Sequence, residues 1–284
     1  MAEEAGMSIS TGEATIRLLA EYGVDTVFGI PGVHTLEFCR GLGAGSAVRH
    51  IQCRSEMGAG LAADGYARAS GRPGVVLTIS GPGVTNAATP LGVSWNDSVP
   101  VLLISADTAR GAQGKGWGVL HEVSDLCAVT RPLTAFSARA MRSADLPELL
   151  ARAFGGFGAA RPRPAHVAIP VDLLEEAADG GWSAVPAPSR PQPAPEAIAE
   201  AAARLEAARR PVIIAGGGAV DGAAALRTLA ERLGAPIVTT SAGKGVLAED
   251  HPLSLGATLC RPETRALLAE ADCLLAAGTE LSET

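Results

Sequence analysis

Short runs of aliphatic and β-branched residues recur along this chain, each followed by a stretch with helical character. Thr26-Val27-Phe28-Gly29-Ile30, Val48 to Cys53, Gly74 to Ser80, Val99 to Ser105 and Ala165 to Val171 read as strands. Between them lie helix-like stretches. One is capped by Ser10 or Thr11 and ended by Gly23, one spans His34 to Leu42, one opens at Glu56, one follows Gly83, and one lies near Leu146 to Phe157. Strands that alternate with helices predict an α/β fold with a parallel sheet covered on both faces. Ligands of such sheets sit beyond the carboxyl ends of the strands. Three loops leaving strand ends carry Gly or Glu: Gly29 to Gly32, Ser55-Glu56 and Gly81 to Gly83. The residues alone therefore predict a shared site on that rim.

The chain of 284 residues is a prior for about two domains. The pattern breaks at a Pro-, Ala- and Ser-rich stretch, residues 181–195, which can form neither a regular helix nor an inner strand. Residues 1–180 are the first predicted domain and 181–195 the linker. In 196–284 the pattern restarts: a helix over Glu196 to Ala208, a strand Pro211 to Ala215 ending in Gly216-Gly217-Gly218, a helix Ala223 to Leu233, a strand Pro236 to Thr239, a helix Pro262 to Ala271 and a strand Cys273 to Ala277. The expectation is two doubly wound parallel-sheet domains. The second is expected to be incomplete, because it has few strands and no helix follows the last one.

A net charge of -7 disfavours nucleic acid and anionic membranes as main partners. Met1 to Gly6 is acidic and lacks the layout of a signal peptide, and no apolar run approaches the roughly 18 residues of a membrane span. The five cysteines are widely spaced without a C-x-x-C pair, as for reduced, mostly buried thiols of a cytoplasmic protein. His121-Glu122 is not followed by the second histidine of a zinc helix, and no residue set is assigned to a metal.

Glu56 stands at the mouth of a helix dominated by Gly and Ala, from Met57 through Gly71. Small residues allow tight packing, and a carboxylate held in a dry cleft is a candidate for proton chemistry. The bland alternative is a helix-start carboxylate stabilised by the dipole. Gly81-Pro82-Gly83 reads as a tight turn more readily than as a phosphate cradle, since proline removes a donor. Gly216-Gly217-Gly218 could hold a nucleotide phosphate or simply close a helix–strand turn; it lacks the G-x-G-x-x-G spacing. Ser241 to Gly245 is not a P-loop. The glycine-rich stretch Gly111 to Gly118 with His121-Glu122 is either a substrate-facing loop or a solvated one.

Taken together, Val27 to Gly32, the Glu56 segment through Gly74, Ser80 to Asn86, Asp97 to Pro100 and Thr130 to Pro132 resemble the N-terminal pyrimidine-binding domain of thiamine diphosphate enzymes, acetolactate synthase-like branch. Pro164 to Asp172 resembles the end of that domain, and Arg210 to Gly218 with Gly243 to Gly256 the family's central domain. The resemblance implies that Glu56 hydrogen-bonds the aminopyrimidine ring of thiamine diphosphate and favours its imino tautomer. The ring then takes the thiazolium proton, and the cofactor serves as electron sink in decarboxylation of a 2-oxo acid. Gly29, Pro31, Gly32, Gly81, Pro82 and Asn86 are the other cofactor-side candidates, and Ser55, His121 and Glu122 the substrate-side ones. Gly216, Gly217 and Gly218 are the candidates for FAD, which the synthases place on the central domain.

In the family one subunit's glutamate serves cofactor held mainly by another, so a homodimer or homotetramer is implied. The family's third domain holds Mg2+ and the diphosphate through Gly-Asp-Gly and a downstream Asn. No Gly-Asp-Gly occurs here, so these residues alone are expected to be inactive. Synthases usually carry His and Gln beside the glutamate and a loop ending Phe-Gln-Glu. Here stand Ser55, Met57 and Leu120-His121-Glu122. The loop and Gly243-Lys244-Gly245 look more like 2-oxo acid decarboxylases such as 5-guanidino-2-oxopentanoate decarboxylase. The readings are thus the N-terminal part of an acetolactate synthase-like lyase or synthase, of such a decarboxylase, or a non-catalytic assembly module.

Overall fold

In a computed structural model, which describes residues 9–282, the strand-forming runs become two parallel sheets. Met1 to Gly6 and the final Glu283-Thr284 lie outside the described residues. The first unit runs α1 (Thr11–Glu21), β1 (Thr26–Gly29), α2 (Leu36–Gly41), β2 (Arg49–Gln52), α3 (Glu56–Ser70), β3 (Gly74–Thr78), α4 (Pro82–Asp97) and β4 (Val101–Asp107). It continues with α5 (Leu126–Thr130), β5 (Phe136–Arg139), α6 (Asp145–Ala159), β6 (Ala165–Pro170) and α7 (Val171–Glu175). Its six strands lie in the order β2-β1-β3-β4-β6-β5, every pair parallel.

The period of two along each strand divides the core. Val27, Val75, Leu77, Leu102 and Ile104 pack on one face with Ile16, Leu19, Phe38, Leu146 and Leu150. Phe28, Val76, Val101 and Leu103 pack on the other with Ala59, Ala63, Val84, Ala87 and Leu91. Accordingly α2 leaves β1 toward one face, while α4 leaves β3 toward the other. Because β1 and β3 are neighbours, their carboxyl ends form the crevice at which ligands of open α/β sheets bind.

The chain divides into two compact units between Pro191 and Gln192. Residues 179–194 contain neither helix nor strand, yet part of this stretch is tied to the first unit. Ala184 N–H donates to the Glu21 carboxylate at 2.9 Å, Val185 N–H to the Tyr22 hydroxyl oxygen at 3.1 Å, and Arg190 to the Gly158 carbonyl at 3.0 Å.

The second unit runs α8 (Pro195–Ala207), β7 (Pro211–Ala215), α9 (Ala223–Leu233), β8 (Ile237–Thr239), β9 (Ser254–Gly256), α10 (Pro262–Glu270) and β10 (Cys273–Ala277). Its sheet is parallel with order β10-β7-β8-β9. The short edge strands β5 and β9 and the short helices α5 and α7 are additions to the sequence reading. β5 and β9 are only half-buried and lack a continuous apolar run. Of the cysteines, Cys127 is buried and Cys260 exposed, with the other three between, so burial is less general than expected. Among the described residues no helix is long and apolar enough to cross a membrane.

Candidate active site

The turn after β2 is set by Ser55. Its extended backbone and its hydroxyl, which accepts from Met57 N–H at 3.3 Å, cap α3. Glu56 is therefore the first residue of the helix, where the dipole favours a carboxylate. The small residues around it have a packing reason. A Cβ at Gly60 would collide with the ring of Pro90, so α3 approaches α4 closely, with Ala59 and Ala63 buried between them. This approach brings Glu56, only 8% exposed, to Asn86. The Asn86 Nδ2 amide donates to Glu56 Oε2 at 3.0 Å. Among the described residues this is the one hydrogen bond to that carboxylate. A hydrogen bond to a charged group is worth about 1.5–3 kcal/mol.

The loop after β1 contributes the middle of the rim. A Cβ at Gly29 would collide with the backbone of Leu77 in β3, and one at Gly32 would press on Ile79 at 2.7 Å. Pro31 leads into Gly32, which starts a single 3-10 turn, Val33–Thr35. The turn is braced by Gly32 N–H donating to Thr35 Oγ1 at 2.9 Å. It carries His34.

After β3, Gly81 adopts φ 55 and caps α4, with Pro82 in the first turn. A Cβ here would collide with the His121 carbonyl. Gly81 thus serves a turn and a close contact together, and the phosphate-cradle alternative is not needed to explain it. His121 has φ 61, a left-handed conformation that is uncommon outside glycine and recurs at functional sites. Its ring meets that of His34 edge to face, with centroids 5.6 Å apart and planes at 85°.

The loop that carries His121 is anchored at both ends. At its base Arg110 bonds Asp172 and Glu176 and donates to the Met141 carbonyl. At its tip the Glu122 carboxylate accepts from Gly116, Gly118 and Val119 N–H at 3.0, 2.8 and 3.1 Å. Of the three substrate-side candidates, only His121 therefore has its side chain uncommitted to backbone capping. Burial, and then the neighbouring His121, pull the His34 imidazole below its ordinary pKa.

Beyond the loop, a polar cavity of about 280 Å³ is lined by Asp107, Thr108, Gln113, Glu122, Asp125 and Arg139. Arg139 Nε donates to Asp107 at 2.5 Å. Below this pair His166 is fully buried between Ser105 Oγ at 2.8 Å, Thr130 Oγ1 at 2.7 Å and Ser137 Oγ at 2.9 Å. Burial, with Arg139 next, pushes its pKa down to about 3. A larger cavity of about 610 Å³ lies near Pro73 and Pro100, just before β3 and β4, and thus at the opposite end of the sheet from Glu56.

In the second unit the candidate glycines do a different job. Gly216 N–H donates to the Ala277 carbonyl, Gly218 N–H to that of Gly278, and Ala219 N–H to that of Gly216. A Cβ at Gly216 would collide with Gly278, and one at Gly243 with Ala215. A 3-10 turn, Gly217–Gly222, follows instead of an α-helix start. Among the described residues no group of three or more His, Cys, Asp or Glu side chains is placed to hold a metal ion.

Glu56, Asn86 and His121 are candidates in the sequence and lie at the strand-end rim, whereas His34 and the His166 network are not among the sequence candidates. The one available signal for His34 was its place just past Pro31-Gly32-Val33 after a strand end.

The model of the thiamine pyrophosphate enzyme N-terminal TPP binding domain matches residues 9–129, and that of the central domain of the same enzymes residues 198–284. A protein of Pseudomonas aeruginosa named "Probable 2-ketoarginine decarboxylase" is 54% identical over 98% of this chain and 50% of its own length. An acetolactate synthase of Mycobacterium bovis is 36% identical over 97% of this chain and 45% of its own. The large subunit of acetolactate synthase isozyme 1 of Escherichia coli is 34% identical over 95% and 48%. The chain spans about half the length of these curated relatives. With both domain models matched in order and a buried glutamate at the strand rim of the first, the chain belongs to the thiamine pyrophosphate enzyme family.

Proposed function

We propose that the chain forms the N-terminal half of a thiamine diphosphate-dependent enzyme that decarboxylates a 2-oxo acid with a basic, guanidino-bearing side chain. The observation that carries the site is the buried Glu56 carboxylate, with Asn86 on one oxygen and the other open to a partner. That arrangement fits a ring N–H donor, as the imino tautomer of the pyrimidine ring would present. Gly29, Gly32 and Gly81 keep the neighbouring rim free of side-chain bulk, and Pro31 and Pro82 fix the backbone of its turns. When bound, the cofactor supplies the electron sink for loss of carbon dioxide. Glu56 holds and returns a proton at the ring nitrogen, Asn86 fixes the carboxylate, and His121 faces the substrate.

The decarboxylase reading is supported by the 54% identity to the Pseudomonas protein, against 36% to the first synthase named. His121 and Ser55 add to it, where synthases usually carry Gln and His. The synthase reading, with carboligation to acetolactate, stands second on the strength of several relatives at 34–36% identity. It would also bring FAD to Gly216–Gly218. The amides committed inside that turn leave little to hold a phosphate, so the preferred enzyme works without flavin.

Mg2+ and the diphosphate belong to a further domain in this reading. The enzyme is cytoplasmic and assembles as a homodimer or homotetramer through the first unit. The exposed Met57, Leu61 and Val93 on α3 and α4 suit such a contact. The test is an assay of the full-length protein with thiamine diphosphate and Mg2+ on 5-guanidino-2-oxopentanoate and pyruvate. Carbon dioxide release from the guanidino acid without acetolactate supports the reading. Acetolactate as the main product from pyruvate would replace it with the synthase.

A further inference from the structure

His34 is not among the residues assigned above, yet its surroundings are specific. Its ring is half-buried, and Nδ1 is shielded from solvent without a hydrogen-bond partner. No hydrogen bond to either ring nitrogen is present among the described residues. A proton on Nδ1 would be a buried N–H with no acceptor, which folded proteins avoid more strictly than an idle lone pair. The neutral ring therefore keeps its proton on Nε2, the nitrogen left accessible. Charging the ring would bury that same orphan N–H. Burial and the facing His121 both oppose the charge as well.

The position of the ring gives this donor a use. His34 rises from the end of β1, and His121 is held by its carbonyl against Gly81 at the end of β3. The two imidazoles thus span the β1–β3 crevice, on the same strand-end rim as the Glu56–Asn86 pair, which joins α3 to α4. An acid entering there meets the Glu56 carboxyl group. The guanidinium groups of Arg110 and Arg139, at the base of the loop, are committed to Asp172 and Glu176 and to Asp107. Neutral N–H donors can hold an anion at this place without setting a cation beside Glu56.

We propose that His34 is a substrate-contacting residue whose Nε2–H, set beside His121, hydrogen-bonds the carboxylate of the 2-oxo acid. This rests on the proposed function. The test uses the full-length protein with His34→Phe, which keeps a ring but no donor, and His34→Gln, whose amide N–H reaches a similar distance. His34→Phe should raise KM for the 2-oxo acid roughly 10-fold or more and leave the affinity for thiamine diphosphate unchanged. His34→Gln should return KM to within about 3-fold of the parent. Selective 15N-histidine labelling should show His34 as the Nε2–H tautomer.

An unchanged KM in His34→Phe, a His34→Gln variant no better than Phe, or an Nδ1–H tautomer overturns the inference while the parent enzyme is active. A parent inert toward every 2-oxo acid overturns the functional reading, and this inference with it.

Discussion

At the carboxyl end of the first sheet, Gly32 and Gly81 let the chain turn so that Glu56, Asn86, His34 and His121 gather on one rim. At the same end of the second sheet, Gly216, Gly243 and Gly278 bring backbone against backbone, and the Gly216, Gly218 and Gly243 amides bond carbonyls inside the unit. Both rims are glycine-rich turns after buried strands. What separates them is what the close approach brings in: side chains with chemistry in the first, other main chain in the second. Glycine spacing alone is therefore weak evidence for a site, and the residue that the glycine admits decides.

The sharpest break between the rims is Glu56→Gln. In the full-length enzyme it should lower kcat by about 10²–10⁴, the usual worth of a proton-transfer group, with the circular dichroism spectrum unchanged. Acid should next separate the two units by stability. His166 has a folded pKa of about 3, below the ordinary value of 6.5, so between these values only the unfolded chain takes up its proton. The first unit keeps this contribution in full above pH 6.5 and loses it progressively as pH falls toward 3. The loss approaches about 1.4 kcal/mol per pH unit in denaturant titrations. His166→Asn should flatten that slope. Among its described residues the second unit has no buried histidine.

Smaller effects contrast the glycines directly. Gly278→Ala has φ 60 and a backbone collision against it, and should cost about 1–3 kcal/mol of stability in the second unit while sparing turnover. Gly81→Ala meets the same two obstacles but displaces the His121 carbonyl, so its loss should appear in turnover as well as stability. Asn86→Ala leaves Glu56 with one partner fewer and should slow turnover by about 10-fold.

The strands of the first sheet were legible because both their faces are buried, so runs such as Val75-Val76-Leu77 read as continuous apolar stretches. β5 was not, because Ser137 and Arg139 are spent on His166 and Asp107 and break the apolar signal. Glu56 was legible from the small residues after it, whose cause is the Gly60–Pro90 contact. Ser55 and Glu122 read as substrate-facing, but their polar atoms bond the backbone of their own turns. No local pattern announces such capping. His34 escaped because its partner His121 is distant in sequence and reaches it only through the contact of Gly81 with the long loop.

In the proposed mechanism Glu56 relays a proton to the cofactor ring. That relay is tested most directly by the rate at which the C2 proton of bound thiamine diphosphate exchanges with deuterium in the full-length protein. Glu56→Gln should slow that exchange by about 10² or more relative to the parent at equal cofactor occupancy. Exchange at the parent rate would contradict the role assigned to this carboxylate.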